Sequence, residues 1–486
     1  MRLKLVTATS LLALGLFTTA HGVEINQDGA NAVRDNLTKF LPEELAKSGL
    51  ITVNPAGGRY EIIYDLAKLL AKVDPATFTI TGLAPFSTFA TPLDSGLWNI
   101  EGDNSLNVSG HFKGPEDKPT EFTYSISSLV YKGVFDPAIS YLRSGTSTAK
   151  DIKVTSKSDM EDISASFAGM DYTLNSTDSA AGDGRIDFVA SGSMSTFSER
   201  VSSQQMPPIE ISADSLDFEG KVDKLPATKI RDIVMFVLDH ADEKQLSPDS
   251  TDKLKALLKE TFPLFGSFSE TIGVNNLAVT SQVGSGGAKA FGYNFIVDGP
   301  SDAVRFGFGM NAGQISFDSP LVPAIYSAFV PASLDLQFAV PDMDFAAFSD
   351  EFMAMDFNTT TPESSGEKAA EKLFRNGQIT IDFPKISAKS DVYDIDMNGS
   401  IKGQVGSEKD YSMEATVFAR DLDKTIAAVQ ELAKTDPDLN QVSFGIMMVK
   451  GFAKTDTDGR SRWDISIGRD GSITVNGQVM KGADQP

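Results

Sequence analysis

Carboxylates are the most abundant groups in this chain that could do chemistry. Asp394 and Asp396 stand two residues apart on a predicted strand, so both point to the same face. Paired carboxylates can hold a metal ion or act as acid and base in cleaving a glycosidic bond. The alternating residues Tyr393, Ile395 and Met397 predict that the other face is buried. We therefore interpret the two aspartates as the solvated side of a strand.

Nucleophilic chemistry finds equally little support. Ser365 and Lys368 have the Ser-x-x-Lys spacing of enzymes that recognise β-lactams. Ser364 and Glu367, three apart before an apolar-periodic segment, instead favour a helix capping box. His111 and His240 are far apart, and the chain has no cysteine. The sequence therefore predicts no catalytic, cofactor-binding or metal-binding residues, and we expect a protein that is not an enzyme.

The first 22 residues have the pattern of a signal peptide. Arg2 and Lys4 form a basic start, Leu11 to Phe17 an apolar core, and Ala20-His21-Gly22 a small-residue cleavage site. We expect cleavage near Gly22 and a periplasmic mature protein. No later apolar run approaches the roughly 20 residues needed to span a bilayer, so we expect no transmembrane segment.

Length and charge limit the remaining choices. The chain has 486 residues, which favours more than one domain, and a net charge of −23. A strongly acidic surface repels nucleic acid, so we expect no nucleic-acid partner. Pro207-Pro208 indicates a connector. It divides the mature chain into an N-terminal β-rich half, residues 23–205, and a C-terminal β-rich half with helices, residues 206–486.

Alternation of apolar and polar residues predicts strands through most of the chain. The clearest pair is Ile465/Ile467 with Ile473/Val475 around Asp470-Gly471, which predicts a closing β-hairpin. Amphipathic helices are predicted at intervals over Asn31 to Ser48, Ile62 to Lys72, Thr228 to Ala241, Thr251 to Phe262, Ser364 to Arg375 and Lys424 to Thr435.

An aspartate recurs where a strand meets a helical start. Asp136, Asp344 and Asp423 each follow an apolar residue there, and we interpret them as helix N-caps. Together these elements predict a β-dominated α+β fold. We expect long, curved antiparallel sheets that are partly covered by amphipathic helices and leave a hydrophobic groove.

The last third of the chain resembles a known family. Its order is Gly377 to Phe383, Val392 to Gly399, Tyr411 to Ala419, a helix, and the segment Trp463 to Gly477. This order resembles the exported alphaproteobacterial family of domain of unknown function 2125, and more distantly AsmA-like envelope proteins. The resemblance implies an envelope protein and brings no catalytic residues.

We therefore expect a non-enzymatic periplasmic protein that binds lipid or another apolar ligand, or that assists envelope assembly. A protein-protein scaffold or assembly factor without cargo, working with other envelope proteins, is the alternative. No cofactor is expected. The candidate groove residues are Phe317, Leu321, Ile325, Phe329, Leu336 and Phe338.

Overall fold

The computed structural model describes residues 24–39, 41, 43–70, 73–113, 119–180, 182, 184–240, 243, 245–355, 368–407 and 410–483. The predicted signal peptide and the Ser364/Glu367 capping box lie outside the described residues. Strands account for 53% of the described residues and helices for 22%, and the strands pair antiparallel. The β-dominated fold class is therefore confirmed.

The chain divides into two compact units, an N-terminal unit of Met1–Phe268 and a C-terminal unit of Ser269–Pro486. The boundary predicted at residues 205 and 206 falls in the turn between two strands that pair along most of their length. Such a hairpin belongs to one sheet, because its backbone hydrogen bonds are shared between its two strands.

The N-terminal unit begins with small elements and continues with long strands. The small elements are α1 (Gln27–Thr38), α2 (Glu43–Lys47), β1 (Ile51–Pro55), β2 (Tyr60–Tyr64), α3 (Ala67–Leu70), β3 (Phe78–Thr81) and β4 (Phe86–Pro92). The long strands are β5 (Trp98–Lys113), β6 (Pro119–Asp136), β7 (Tyr141–Lys157), β8 (Glu161–Asp178), β9 (Ile186–Ser203) and β10 (Ile209–Leu225). Two helices follow, α4 (Ala227–Asp239) and α5 (Pro248–Thr261).

Strands β5 to β10 form an antiparallel meander in which each strand pairs with the next. One end of this meander carries a helix-covered core. There, Ala30, Val33 and Leu37 of α1 pack with Trp98 of β5 and Phe135 of β6. The helix buries its apolar side against the first part of the sheet, as its amphipathic sequence predicts.

The C-terminal unit holds most of β11 (Ser267–Ser281) and all later elements. Its strands are β12 (Gly284–Asp298), β13 (Val304–Asp318), β14 (Ser333–Met343), β15 (Gln378–Lys389), β16 (Asp394–Gln404), β17 (Tyr411–Arg420), β18 (Lys454–Thr455), β19 (Ser461–Ile467), β20 (Ile473–Val475) and β21 (Gln478–Lys481). Its helices among the described residues include α6 (Phe345–Ala354), α7 (Leu422–Ala433) and α8 (Leu439–Gly451), with 3-10 helices at Ala324–Phe329 and Arg375–Gly377.

Pairing in this unit runs from β12 through β17 to β19, β20 and β21. The predicted closing hairpin is confirmed, since Ile465 pairs with Val475 and Ile467 pairs with Ile473. Gly471 has a φ of 77° in its turn, which explains why glycine occupies that position.

Several predicted local features need correction. Ile62 to Tyr64 lie in β2 rather than in a helix, because β2 is paired on both sides, with β1 and β4. The N-cap interpretation is right for Asp344, whose carboxylate accepts from the Ala347 amide at 2.9 Å. It is wrong for Asp136, which binds Arg143 beside a turn, and for Asp423, which lies inside α7 and pairs with Lys450.

Among the described residues, no helix combines the length and the apolar character needed to cross a membrane.

Candidate functional site

The structure separates the six predicted groove residues. Leu336 and Phe338 lie on one face of β14, opposite Met310 and Phe308 of β13. Phe317 lies near the far end of β13, roughly 30 Å along the strand from Phe308 at about 3.3 Å per residue. The predicted set is therefore not one compact groove.

The other three predicted residues belong to the connection between β13 and β14. Leu321 is 74% exposed, and Ile325 and Phe329 lie on the 3-10 helix. The Tyr393 hydroxyl donates to the Phe329 carbonyl at 3.1 Å, which anchors this segment. Only Leu336 and Phe338 share a sheet face in the manner that the prediction required.

Helices cover parts of the apolar face of the C-terminal sheet. Phe345 of α6 stacks on Phe306 of β13 with ring centroids 5.7 Å apart. The Trp463 indole on β19 is buried and donates to the Val449 carbonyl of α8 at 2.8 Å. These contacts bury the parts of this face around Phe306 and Trp463, whereas Phe308 and Phe338 on it remain 44% and 37% exposed.

The opposite, polar face of the same sheet contains a recess of about 770 Å³. Its lining includes three carboxylates, Asp382, Glu414 and Asp464, together with hydroxyl groups. Ser466 donates to Glu414 at 2.9 Å, and Arg462 donates to Asp464 at 2.9 Å. The hydrogen bond from Arg462 lowers the pKa of Asp464, so this carboxyl stays ionised and is unsuited to act as a general acid.

The paired aspartates are held in ion pairs, and Ile395 between them is 39% exposed, so the predicted burial of its face is wrong at this position. Asp394 forms an ion pair with Lys389, and Asp396 forms one with Arg460. Among the residues that the structure describes, no group of three or more His, Asp or Glu side chains could hold a metal ion.

The long strands of the N-terminal unit share a feature that the sequence analysis did not predict. At mid-strand, the alternation of apolar and polar residues shifts by one position, and we call this shift the mid-strand step. Five strands carry two apolar residues three apart on either side of it: Ile126/Leu129, Ala149/Ile152, Phe167/Met170, Met194/Phe197 and Ala213/Leu216. In a regular strand, a spacing of three places side chains on opposite faces. The observed burial pattern instead changes phase at this point, so both halves of each strand direct apolar residues to one face.

Backbone geometry produces the step. Asp151 on β7 and Thr196 on β9 have φ values of 49° and 53°, which non-glycine residues seldom adopt. The Ser127 hydroxyl on β6 donates to the Asp151 carboxylate at 2.9 Å. The residue with positive φ shifts the alternation by one residue, so the residues after it exchange faces of the sheet. The hydrogen bond joins β6 to β7 at the position of the step.

Beyond the step lies what we name the strand-lined face. Its apolar side chains come from β5 to β10 between the step and the hairpin ends: Leu106, Val108, Phe112, Phe122, Tyr124, Ile126, Ile152, Val154, Ile163, Phe167, Phe197, Val201, Ile209 and Ile211. The Phe167 and Phe197 rings stack with centroids 4.9 Å apart.

Strand residues alone build the hydrophobic cluster at the step, where the strand-lined face begins. Among the described residues, Ile126, Ala149 and Ile152 pack with Leu106, Leu129 and their neighbours on the strands, and the cluster contains no helical residue. Phe112 and Val154 remain exposed. Burial raises the pKa of the Tyr124 hydroxyl.

A comparison of the chain with protein-family models, curated proteins and solved structures gave no match.

Proposed function

We propose that this protein is an exported, non-enzymatic envelope protein that holds an acyl chain or a similar apolar ligand on the strand-lined face. One observation carries the proposal. A continuous apolar face of six long strands keeps exposed aromatic and aliphatic side chains and has a buried cluster of strand residues alone among those described.

The dimensions of the face suit an elongated ligand. Six strands at a spacing of about 4.8 Å give a width of about 24 Å. Each methylene that leaves water for such a surface contributes about 0.8 kcal/mol. We therefore expect affinity for straight-chain alcohols to rise roughly threefold to fourfold with each added methylene.

The matched pair Val154→Asp and Val130→Asp tests the proposal. Val154 lies on the strand-lined face and is 36% exposed, whereas Val130 lies on the opposite face and is 47% exposed. Both variants should fold. Binding of dodecanol to the delipidated protein, measured by calorimetry, should weaken about tenfold or more in Val154→Asp, because a carboxylate replaces apolar contact area.

The Val130→Asp control should bind dodecanol like the unmodified protein. Equal losses in the two variants, or no saturable dodecanol binding by the unmodified protein, would contradict the proposal.

A scaffold that binds a partner protein is the second candidate. It is favoured by α8, where Phe444, Met448 and Val449 are exposed. A photo-crosslinking residue at position 444 in cells would capture a stoichiometric envelope protein if this function holds. A purified protein that carries no lipid, together with such a partner, would favour the scaffold over the ligand-binding function.

A further inference from the structure

Among the described residues, one carboxylate lies between the apolar side chains of the strand-lined face. Glu199 pairs directly with Ala165 on β8 and Ile211 on β10, and Phe197 and Val201 are its neighbours on the same side of β9. Its side chain is half-buried. Every residue around this carboxylate at those register positions is apolar.

Glu199 has neither an ion pair nor a hydrogen bond to its side chain within the described part of the chain. A carboxylate that is partly removed from water without a partner costs free energy. The adjacent Arg200 gives no compensation, because it lies on the opposite face and pairs with Glu210 at 2.5 Å.

Beyond the step, the cations in the described parts of these strands lie on the opposite face. In the described parts of β5 to β10 beyond the step, the basic residues are Lys113, Lys153, Lys157 and Arg200, and each is exposed at a register position on the polar side. The other carboxylate on the side of Glu199 is Glu161, which is exposed at the start of β8. The strand-lined face is therefore apolar with a negative charge near its hairpin end.

We infer that Glu199 selects amphiphiles that carry an ammonium group. The alkyl chain lies across the strand-lined face, and the ammonium group donates hydrogen bonds to the Glu199 carboxylate. Charge-assisted hydrogen bonds are stronger than neutral ones, and an ion pair gains strength where the surroundings exclude water. An amphiphile with a carboxylate or phosphate head meets repulsion from Glu199 and finds no cation on this face among the described residues.

This inference rests on the proposed function, and the experiment separates the two. Binding of dodecylammonium, dodecanol and laurate is measured by calorimetry on the unmodified protein and on Glu199→Gln. The matched control is Glu121→Gln, which removes the same charge from the exposed, opposite face of β6.

The unmodified protein should bind dodecylammonium about tenfold more tightly than dodecanol, and laurate most weakly. Glu199→Gln should bind dodecylammonium and dodecanol equally and keep its dodecanol affinity. Glu121→Gln should retain the full preference. Glu199→Asp should keep part of it, which covers the case in which the glutamine variant fails to fold.

Two results would overturn the inference while leaving the proposed function intact. One is equal binding of dodecylammonium and dodecanol by the unmodified protein. The other is an equal loss of preference in Glu199→Gln and Glu121→Gln, which would assign the effect to net charge. Failure of the unmodified protein to bind dodecanol would instead overturn the proposed function.

Discussion

The two units treat the apolar face of their sheets differently. In the C-terminal unit, α6 stacks on β13 and α8 accepts a hydrogen bond from Trp463, so the side chains next to these helices become core, while Phe308 and Phe338 stay exposed. In the N-terminal unit, α1 packs at one end of the long strands, and the cluster at the step consists of strand residues among those described. The same alternating pattern therefore yields a core where helices pack on it and a candidate binding surface where strands alone supply the packing.

The largest expected effect comes from charging a helix that covers the C-terminal sheet. Val429 on α7 is 5% exposed, so Val429→Asp places an unpaired carboxylate in the core. We expect the C-terminal unit to lose at least about 3 kcal/mol of stability. Hydrogen exchange resolved by peptide should show faster exchange within residues 269–486.

The control for this prediction is Val442→Asp on α8, where the side chain is 48% exposed. It should leave exchange unchanged, as should Val154→Asp in the N-terminal unit. A Val154→Asp variant as unstable as Val429→Asp would erase the contrast between a covered face and a strand-lined face.

Next in size is the loss of Arg185, which stabilises the N-terminal unit. Its guanidinium donates to the carbonyls of Lys224 and Pro263, at 2.9 and 2.6 Å, and to that of Thr261, at 3.2 Å. A cation at the C-terminal end of α5 also interacts favourably with the negative end of the helix dipole. Arg185→Met should cost about 2–3 kcal/mol in chemical unfolding.

Arg34→Met is the matched substitution on α1, where the side chain is 43% exposed and forms an ion pair with the adjacent Asp35. It should change the unfolding free energy by less than about 0.5 kcal/mol. Equal effects of the two substitutions would show that the Arg185 hydrogen bonds contribute nothing measurable.

The two units should also respond to opposite extremes of pH. Burial raises the pKa of Tyr141 to about 12, from 10.0, and burial also raises the pKa of Tyr64. The folded state then holds these protons more tightly than the unfolded state. Their contribution is complete below pH 10.0 and is lost as pH rises through the folded pKa, so alkali should destabilise the N-terminal unit.

Acid should act on the C-terminal unit instead. The hydrogen bond from Arg462 lowers the pKa of Asp464 below its ordinary value of 3.8. Its contribution is present above pH 3.8 and is lost as pH falls through the lower, folded pKa. Thermal unfolding followed by the emission maxima of Trp98 and Trp463, each alone after replacement of the other by Phe, would report the two units separately. Simultaneous transitions at every pH would contradict this difference.

The smallest expected effect concerns the mid-strand step. Thr196 has a φ of 53°, which is costly for a β-branched residue and free for glycine. Thr196→Gly should therefore stabilise the N-terminal unit by about 0.5–1 kcal/mol. Ser198→Gly, in regular strand geometry on the same strand, should destabilise it by a similar amount, and two changes of the same sign would contradict the role of the step.

Much of the fold follows from the sequence because alternation is local. Ile465, Ile467 and their partners across Asp470-Gly471 predict the closing hairpin correctly, since the turn fixes their register. Helix α8 was missed, because apolar residues occur around its whole circumference and give no stripe. The β-dominated class required only the pattern, whereas the helix required tertiary contacts with α7 and β19.

The candidate site was harder to predict for a physical reason. A face is identified by which residues point to it, and a single positive φ at Asp151 reverses that assignment for the rest of β7. Treating the strand as regular splits its apolar residues between two faces and conceals the strand-lined face. The repeated spacing of three, as in Phe167/Met170 and Met194/Phe197, was the available signal. The apolar surroundings of Glu199 could not be predicted from the sequence, because they depend on which residues of β8 and β10 pair with it.

The aligned steps also bear on how such a sheet can change in length. Each strand from β6 to β10 carries the same phase change at the same level and pairs mainly with its sequence neighbours. Such a meander behaves as a one-dimensional array whose stability is a sum of nearest-neighbour terms. Duplicating or deleting one hairpin, such as β7 with β8, would leave the flanking strands with matching steps and able to pair. The unit could thus widen or narrow by whole hairpins, and the capacity of its apolar surface would scale with the number of hairpins.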